Sequence, residues 1–356
     1  MSSAINSTFS FNPEELKDWT LVINELTFNN PQLTQIHDVQ EGIKHDMQIV
    51  FAGRMGLMGK KITSCTPNEI EGIQLTQKFW RPVFEDFRLK HCSADVNEQD
   101  KLVNQMARMN PDYFNVIEGS SSVLGNFLVG KVTEAFNENI IRKVWFSDTA
   151  ADTIANGGVL TNGTDVDYFN TFDGLFKQYF ADILITDKNY VEITANQGAS
   201  YAAQVLGDGD SMAVLKSMYN SADSRLQNSP NIQFLVTRSL WDGYLNDLES
   251  TQNAGAGNTF INENGQLTLT YRGIPVVKME KWDRVIEEYE NDGTKLNLPH
   301  RAVLTTPDNI PVGTLAQSDF GTLNAFYDQY FRENVIDGTY SIDSKHLENY
   351  LSVIAY

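Results

Sequence analysis

The sequence predicts an α+β fold, and three observations carry the prediction. Short β-branched runs alternate with helical patterns and turn residues through residues 231–315. A helix-period apolar stripe runs through residues 112–143, and no repeat of solenoid length is present. At 356 residues the chain suits about two ordinary domains.

Composition narrows the class. Hydrophobic residues make up 41% and charged residues 21%, the balance of a globular protein, and no apolar run is long enough to span a membrane. The first residues lack the basic start and apolar run of a secretory signal, so an intracellular origin is expected and the Asn-x-Thr sites at Asn6 and Asn162 carry little meaning. Cys65 and Cys92 belong to no Cys-x-x-Cys pattern and read as ordinary thiols. The net charge of −19 argues against a nucleic-acid reader, which needs a basic footprint. It suits a protein kept soluble by self-repulsion, or a container wall that must not adhere to packed DNA.

In chain order, residues 13–26 form a plausible helix, with Asn12 as N-cap, Pro13 at the first helical position and Glu14 and Glu15 in the first turn. Trp19, Val22 and Leu26 share one face, which covers either the chain's own core or a neighbouring subunit. The pattern then changes to period two. Met47 begins a strand, Gly53, Gly56 and Gly59 interrupt it, and Ile73, Leu75, Phe79, Val83, Phe87 and Leu89 fall on one parity, predicting a long strand in a half-covered hairpin. Such a hairpin needs a partner surface. The Gly53-x-x-Gly56-x-x-Gly59-Lys60-Lys61 spacing is not that of a phosphate-binding loop.

Residues 112–143 are expected to form the longest helix, roughly 45 Å at 1.5 Å per residue, through Ile117, Leu124, Leu128, Val132, Phe136 and Ile140. Pro111 suits its entrance, Arg142 and Lys143 its C-terminal dipole, and Gly119 with the serines after it a break or a surface. The aspartates of the loop-rich residues 148–167 lack calcium-loop spacing. A short helix is expected around Phe172–Phe180 and a strand from Tyr190. A helix running to about Arg225 is expected to open at Asp208-Gly-Asp210, its carboxylates acting as caps. Residues 231–315 are expected to form a self-contained α+β unit, with strands at 231–237, 267–271, 272–277 and within 301–314, a helix at 239–249 and a Gly/Asn-rich tip at Gly255-Ala-Gly257. The chain closes with an aromatic-rich segment from Phe320, a hairpin turn at Asp337-Gly338, and an apolar last strand tied into a sheet.

Catalytic signatures are missing. His37, His45, His91, His300 and His346 show no metal-ligand spacing, and no nucleophile elbow, kinase set or dinucleotide fingerprint is present. No catalytic, cofactor-binding or metal-binding residue is assigned, and no cofactor. Among 46 acidic residues a glycosidase-like carboxylate pair depends on separation in space, which leaves a carboxylate-dependent hydrolase as the alternative of a different class.

Several stretches carry a resemblance: Gly59-Lys-Lys-Ile-Thr-Ser-Cys, Leu75-Thr-Gln-Lys-Phe-Trp-Arg-Pro-Val, Val144-Trp-Phe-Ser-Asp, Phe169-Asn-Thr-Phe-Asp-Gly-Leu-Phe-Lys-Gln and Gly273-Ile-Pro-Val-Val. Together with the element order, they make the whole chain resemble the major capsid proteins of tailed bacteriophages with the Hong Kong 97-type fold, in particular those of phages infecting Bacteroidota. The resemblance implies an N-terminal arm at 1–39, an E-loop hairpin at 40–108, a P-domain with a long spine helix at 109–205 and an A-domain at 206–317. It further implies a return to the P-domain at 318–345 and a final A-domain strand at 346–356.

What it implies for function is a self-assembling icosahedral shell of pentamers and hexamers, with portal, scaffolding and possible decoration proteins as partners. Double-stranded DNA would be enclosed without sequence-specific binding, no membrane would be involved, and the location would be the virion. Because the chain begins near the arm, scaffolding is expected from a separate or removed segment. Some members join Lys to Asn between subunits; no such link is expected from Lys60 or Lys61, and the denatured particle should contain only monomer. An encapsulin-like nanocompartment shell shares the implied fold.

Overall fold

The computed structural model describes residues 31–43, 46–52, 75–92, 123–151, 166–250, 259–261, 267–314, 324–328, 330–331 and 333–356. Its strands form three sheets. The largest has seven strands in the order β5 (Tyr190–Val191), β14 (Ser352–Ala355), β10 (Ala302–Thr305), β6 (Gln233–Val236), β9 (Ile274–Lys278), β8 (Leu267–Tyr271) and β7 (Thr259–Ile261). Three adjacent strands of it, β14, β10 and β6, are buried at every residue. That explains why they read as continuous apolar runs without alternation.

Two cores flank this sheet. Phe234, Val236, Leu304 and Val353 point to one side, where α4 (Asp210–Ser221) and α6 (Arg238–Ser250) pack. Leu235, Val303 and Ile354 point to the other. There the sheet meets α2 (Val123–Phe146), α3 (Leu175–Asp182) and α7 (Glu280–Tyr289). Helix α7 was not foreseen, although Trp282, Val285 and Ile286 form a buried stripe behind Glu280 and Asp283 in its first turn.

The second sheet is built around β13 (Glu333–Ser344). One edge of β13 pairs antiparallel with β4 (Val83–Cys92) over ten residues, and the other pairs with β12 (Asn324–Asp328) and β11 (Val312–Thr314), with β1 (Val39–Gln40) beyond. The third sheet is the antiparallel pair β2 (Met47–Ala52) and β3 (Leu75–Trp80). Helices α1 (Pro31–Ile36) and α5 (Ser224–Gln227) complete the framework.

Five expectations require correction. Asp337-Gly338 is not a turn: both residues lie inside β13, opposite Arg88 and Phe87, and pairing along the strand overrides the local dipeptide. The single long strand through residues 73–89 is two strands. Pro82 cannot donate a ladder hydrogen bond, Arg81 gives its N–H to the Asp343 carboxylate at 2.7 Å, and the inward parity changes from Lys78 and Trp80 to Val83, Glu85 and Phe87. β4 therefore finds its cover within its own chain.

The stretch 231–315 is not self-contained, since β5 and β14 complete its sheet and β11 belongs to the other one. The helix expected to run to Arg225 stops at Ser221, and Asp223 caps the separate α5 through the Arg225 N–H at 2.9 Å. The N-terminal end of α4 takes its acceptor from a distance: Asp247 of α6 receives the Gly209 and Met212 N–H groups at 2.6 and 3.0 Å.

Helix α2 runs 24 residues, about 36 Å. It continues three residues past Lys143, and residues 112–122 lie outside the described part. So do the expected 13–26 helix, the Gly53–Lys61 region, the serines after Gly119, Cys65, His45 and the Gly255-Ala-Gly257 tip.

Candidate functional site

The β2–β3 pair stands apart from the two large sheets, and among the described residues neither of its outer edges is paired. Two strands alone are marginal in water, so the base of the pair must be held. Trp80 holds it from one side. Its ring is 2% exposed and covers Gly313 of β11, where a Cβ would lie 2.9 Å from Trp80 Cε3 and 2.6 Å from Ile43 Cδ1. Lys78 holds it from the other, donating to Asp182 Oδ2 at 3.0 Å and to the His346 carbonyl at 2.5 Å. Among the described side chains, Met47, Phe79, Phe84 and Leu89 are exposed on β2, β3 and β4, and Tyr330 and Phe331 on the β12–β13 connection. Met47 shares the Trp80 face of the pair and Phe79 the opposite, Gln48 face, so both faces carry exposed apolar groups of the kind that mark interaction surfaces.

Behind this surface lie buried polar groups that lock β4 to α2. Lys143 Nζ sits 2.5 Å from Glu85 Oε2, and both side chains are buried. Tyr340 of β13 donates its hydroxyl to Glu85, Asn139 donates to Tyr340, and Arg142 donates to Asn139. Burial pushes the Lys143 ammonium below its usual range, while Glu85 opposes that shift. The ordered chain of partners fixes the strand against the helix, since any unpaired member would be left desolvated.

The Val144-Trp-Phe-Ser-Asp and Phe169–Gln178 stretches that carried the sequence resemblance pack directly on each other. Gly174 donates its N–H to the Ser147 carbonyl at 2.7 Å, and a Cβ at Gly174 would lie 2.8 Å from the Ser147 nitrogen. Trp145 is fully buried against Phe176 and Trp282, with ring centroids 5.2 and 4.5 Å away. Its indole N–H donates to His37 Nε2 at 3.1 Å, and His37 Nδ1 donates to the Ile310 carbonyl at 2.9 Å.

The His37 ring is thereby satisfied only as the neutral Nδ1–H tautomer. Burial lowers its pKa to about 4. The unfolded chain takes up this proton near pH 6.5 and the folded chain only near 4. Stability is therefore lost as pH falls across that window, by about 3 kcal/mol at its acid end. Urea unfolding at pH 7 and pH 4 should show this loss, and His37→Gln, which keeps one donor and one acceptor, should remove that share. An unchanged slope in the variant would refute the assignment.

Two more histidines, His346 and His300, are held by polar contacts. His346 Nδ1 lies 3.1 Å from Asp182 Oδ2, and burial lowers its pKa. His300 lies between the Gln204 carbonyl and the Ser239 hydroxyl. Asp148, one of the loop aspartates, is buried and meets Lys177 Nζ at 3.2 Å. Sequence reasoning missed Glu85, Lys143, Tyr340 and Lys78 as anchors; their partners lie up to 268 positions away, and no local signal marks them.

No family model matches the sequence, and no curated protein matches it. Solved structures do. A chain of the satellite phage P4 procapsid, a structure that includes the size determination protein Sid, aligns over 94% of this chain and 97% of its own, with a TM-score of 0.52 and 10% identity. The capsid structure of the cyanophage P-SCSP1u aligns over 90% of this chain and 86% of its own, with a TM-score of 0.50 and 13% identity. The chain thus has the mixed α+β fold of the Hong Kong 97-type capsid structures.

Proposed function

We propose that this protein is the major capsid protein of a tailed bacteriophage, a subunit of an icosahedral shell around double-stranded DNA, with no catalytic turnover. The observation that carries the reading is agreement of fold along nearly the whole of both chains, rather than over one shared module. On this reading residues 1–39 are the N-terminal arm, 40–108 the E-loop and 109–205 the P-domain with α2 as spine. Residues 206–317 are the A-domain, 318–345 the return to the P-domain, and 346–356 the last A-domain strand. The motifs shared with capsid proteins of Bacteroidota phages favour such a host.

The physics of the chain fits a shell. The β2–β3 pair, tied down at Trp80 and Lys78 and apolar at Met47 and Phe79, gains its missing cover from a neighbouring copy. A net charge of −19 keeps the wall from adhering to phosphates, so DNA is enclosed without sequence-specific contacts. Pentamers and hexamers, a portal and scaffolding proteins are the partners this reading supplies, with decoration proteins possible on the outer face. The location is the virion. Particles containing DNA support the phage reading, and particles free of DNA but loaded with protein support an encapsulin-like compartment.

Replacing Phe79 and Phe84 together by Asp tests the surface. Both side chains are exposed in the subunit, so its own unfolding free energy should change by no more than about 0.5 kcal/mol each. Particle yield should fall at least tenfold in light scattering and sedimentation. Normal yield and particle size in the double variant would remove this surface from assembly.

A further inference from the structure

A groove of about 1040 Å³ opens between the N-terminal end of α6, helix α7 and the segment around Tyr201. Ser239 and His300 both line it. Ser239 is the second residue of α6, and its Oγ lies 2.7 Å from His300 Nδ1. The far ring nitrogen, Nε2, is 2.5 Å from the Gln204 carbonyl oxygen. A carbonyl can only accept, so Nε2 carries the proton and Nδ1 presents a lone pair to the serine hydroxyl.

The imidazole is held firmly from behind. Asn196 and His300 exchange two hydrogen bonds, Asn196 Nδ2 to the His300 carbonyl at 2.7 Å and the His300 N–H to Asn196 Oδ1 at 3.0 Å. Thr237 Oγ1 stands 3.2 Å from Ser239 Oγ and can donate to it, which leaves the serine proton for His300. A nucleophile within hydrogen-bond reach of a base, with the base oriented by a third group, is the arrangement that activates serine. Here the third group is a backbone carbonyl in place of a carboxylate. Burial also lowers the pKa of His300, so the ring is neutral at neutral pH and its Nδ1 lone pair is free to accept the serine proton.

We propose that Ser239 is a histidine-activated nucleophile and a site of covalent acylation by activated esters entering this groove. In the step, Oγ bonds to the ester carbonyl carbon as the bond from that carbon to the leaving oxygen breaks. The Oγ proton passes to His300 Nδ1 and from there to the leaving oxygen, giving an acyl-serine and a free alcohol. Turnover is not required: the product is a modified chain, and the site is independent of shell assembly.

The test uses the full chain with p-nitrophenyl acetate, followed by intact-mass measurement and peptide mapping. One acetyl group should arrive at Ser239 on the order of 10²-fold faster than at any other serine. The Ser239→Ala chain should lose that acetyl and no other. Because a His300 variant could disturb folding, the unaltered chain supplies the second measurement. Its rate at Ser239 should be flat above neutral pH and fall on acidification through one ionisation below pH 6.5, the sign set by burial of His300. Acetylation spread over lysines and serines without preference for Ser239 would overturn the proposal. So would a rate that keeps rising tenfold per pH unit above neutrality, the behaviour of an unassisted hydroxyl.

Discussion

Replacing Glu290 by alanine is expected to destabilise the subunit by about 3–5 kcal/mol. Glu290 is the C-cap after α7 and Arg301 precedes β10, and both side chains are wholly buried, with Arg301 Nη2 donating to Glu290 Oε2. The guanidinium also donates to the Leu298 carbonyl at 2.9 Å and the Asn297 carbonyl at 3.0 Å, and it lies over Phe176 and Phe146 at 4.7 and 5.3 Å. One arginine thus closes the 297–300 loop, in which Leu298 adopts φ 48°, onto the aromatic core. Deleting the carboxylate leaves a cation in an apolar site with carbonyl partners only, which is why the cost exceeds that of a lost surface pair. Replacing both partners, Glu290→Leu with Arg301→Met, should recover most of the loss, since a buried pair contributes little net stability over well-packed apolar groups. Urea unfolding followed by tryptophan fluorescence reads both variants. A loss below about 1 kcal/mol in Glu290→Ala would show that the carboxylate does not balance the guanidinium.

Trp145→Ala should cost a similar amount, about 3–5 kcal/mol. The side chain is 0% exposed and touches three elements at once: Trp282 of α7, Phe176 of α3 and His37 beyond α1. The cavity cannot close without moving α2 relative to the central sheet. Truncation also removes the donor to His37 Nε2, leaving that nitrogen buried and unpaired. Trp145→Phe refills most of the volume but not the N–H, so it should fall between the parent and the alanine variant. Equal losses in the two would place the cost in the hydrogen bond; no loss in either would contradict the packing described.

Much of the central sheet was legible in the sequence because its strands are short, β-branched and bounded by turn residues. Gln233–Val236, Leu267–Tyr271 and Ala302–Thr305 fall within expected strands, Ile274–Lys278 runs one residue past its expected end, and α6 lies within a residue of its expected ends. Local chemistry failed where a long-range partner decides. Arg272-Gly273, with φ 51° and 82°, is a two-residue hairpin turn, whereas the more turn-like Asp337-Gly338 is strand, because β4 and β12 pair through it. The anchors of the candidate surface have no sequence signature at all. Lys78 meets Asp182 104 positions away, Glu85 meets Tyr340 255 positions away, and Asp247 caps a helix 35 to 38 positions upstream. The Ser239–His300 pair escaped for the same reason, being 61 positions apart.

The most direct measurement is negative-stain microscopy with size-exclusion chromatography of the expressed full chain, alone and with the scaffolding protein that the proposed function calls for. The account predicts closed shells, rings or sheets of uniform subunit spacing, lost when Phe79 and Phe84 become Asp. A monodisperse monomer that stays unaltered with scaffolding protein present would contradict it.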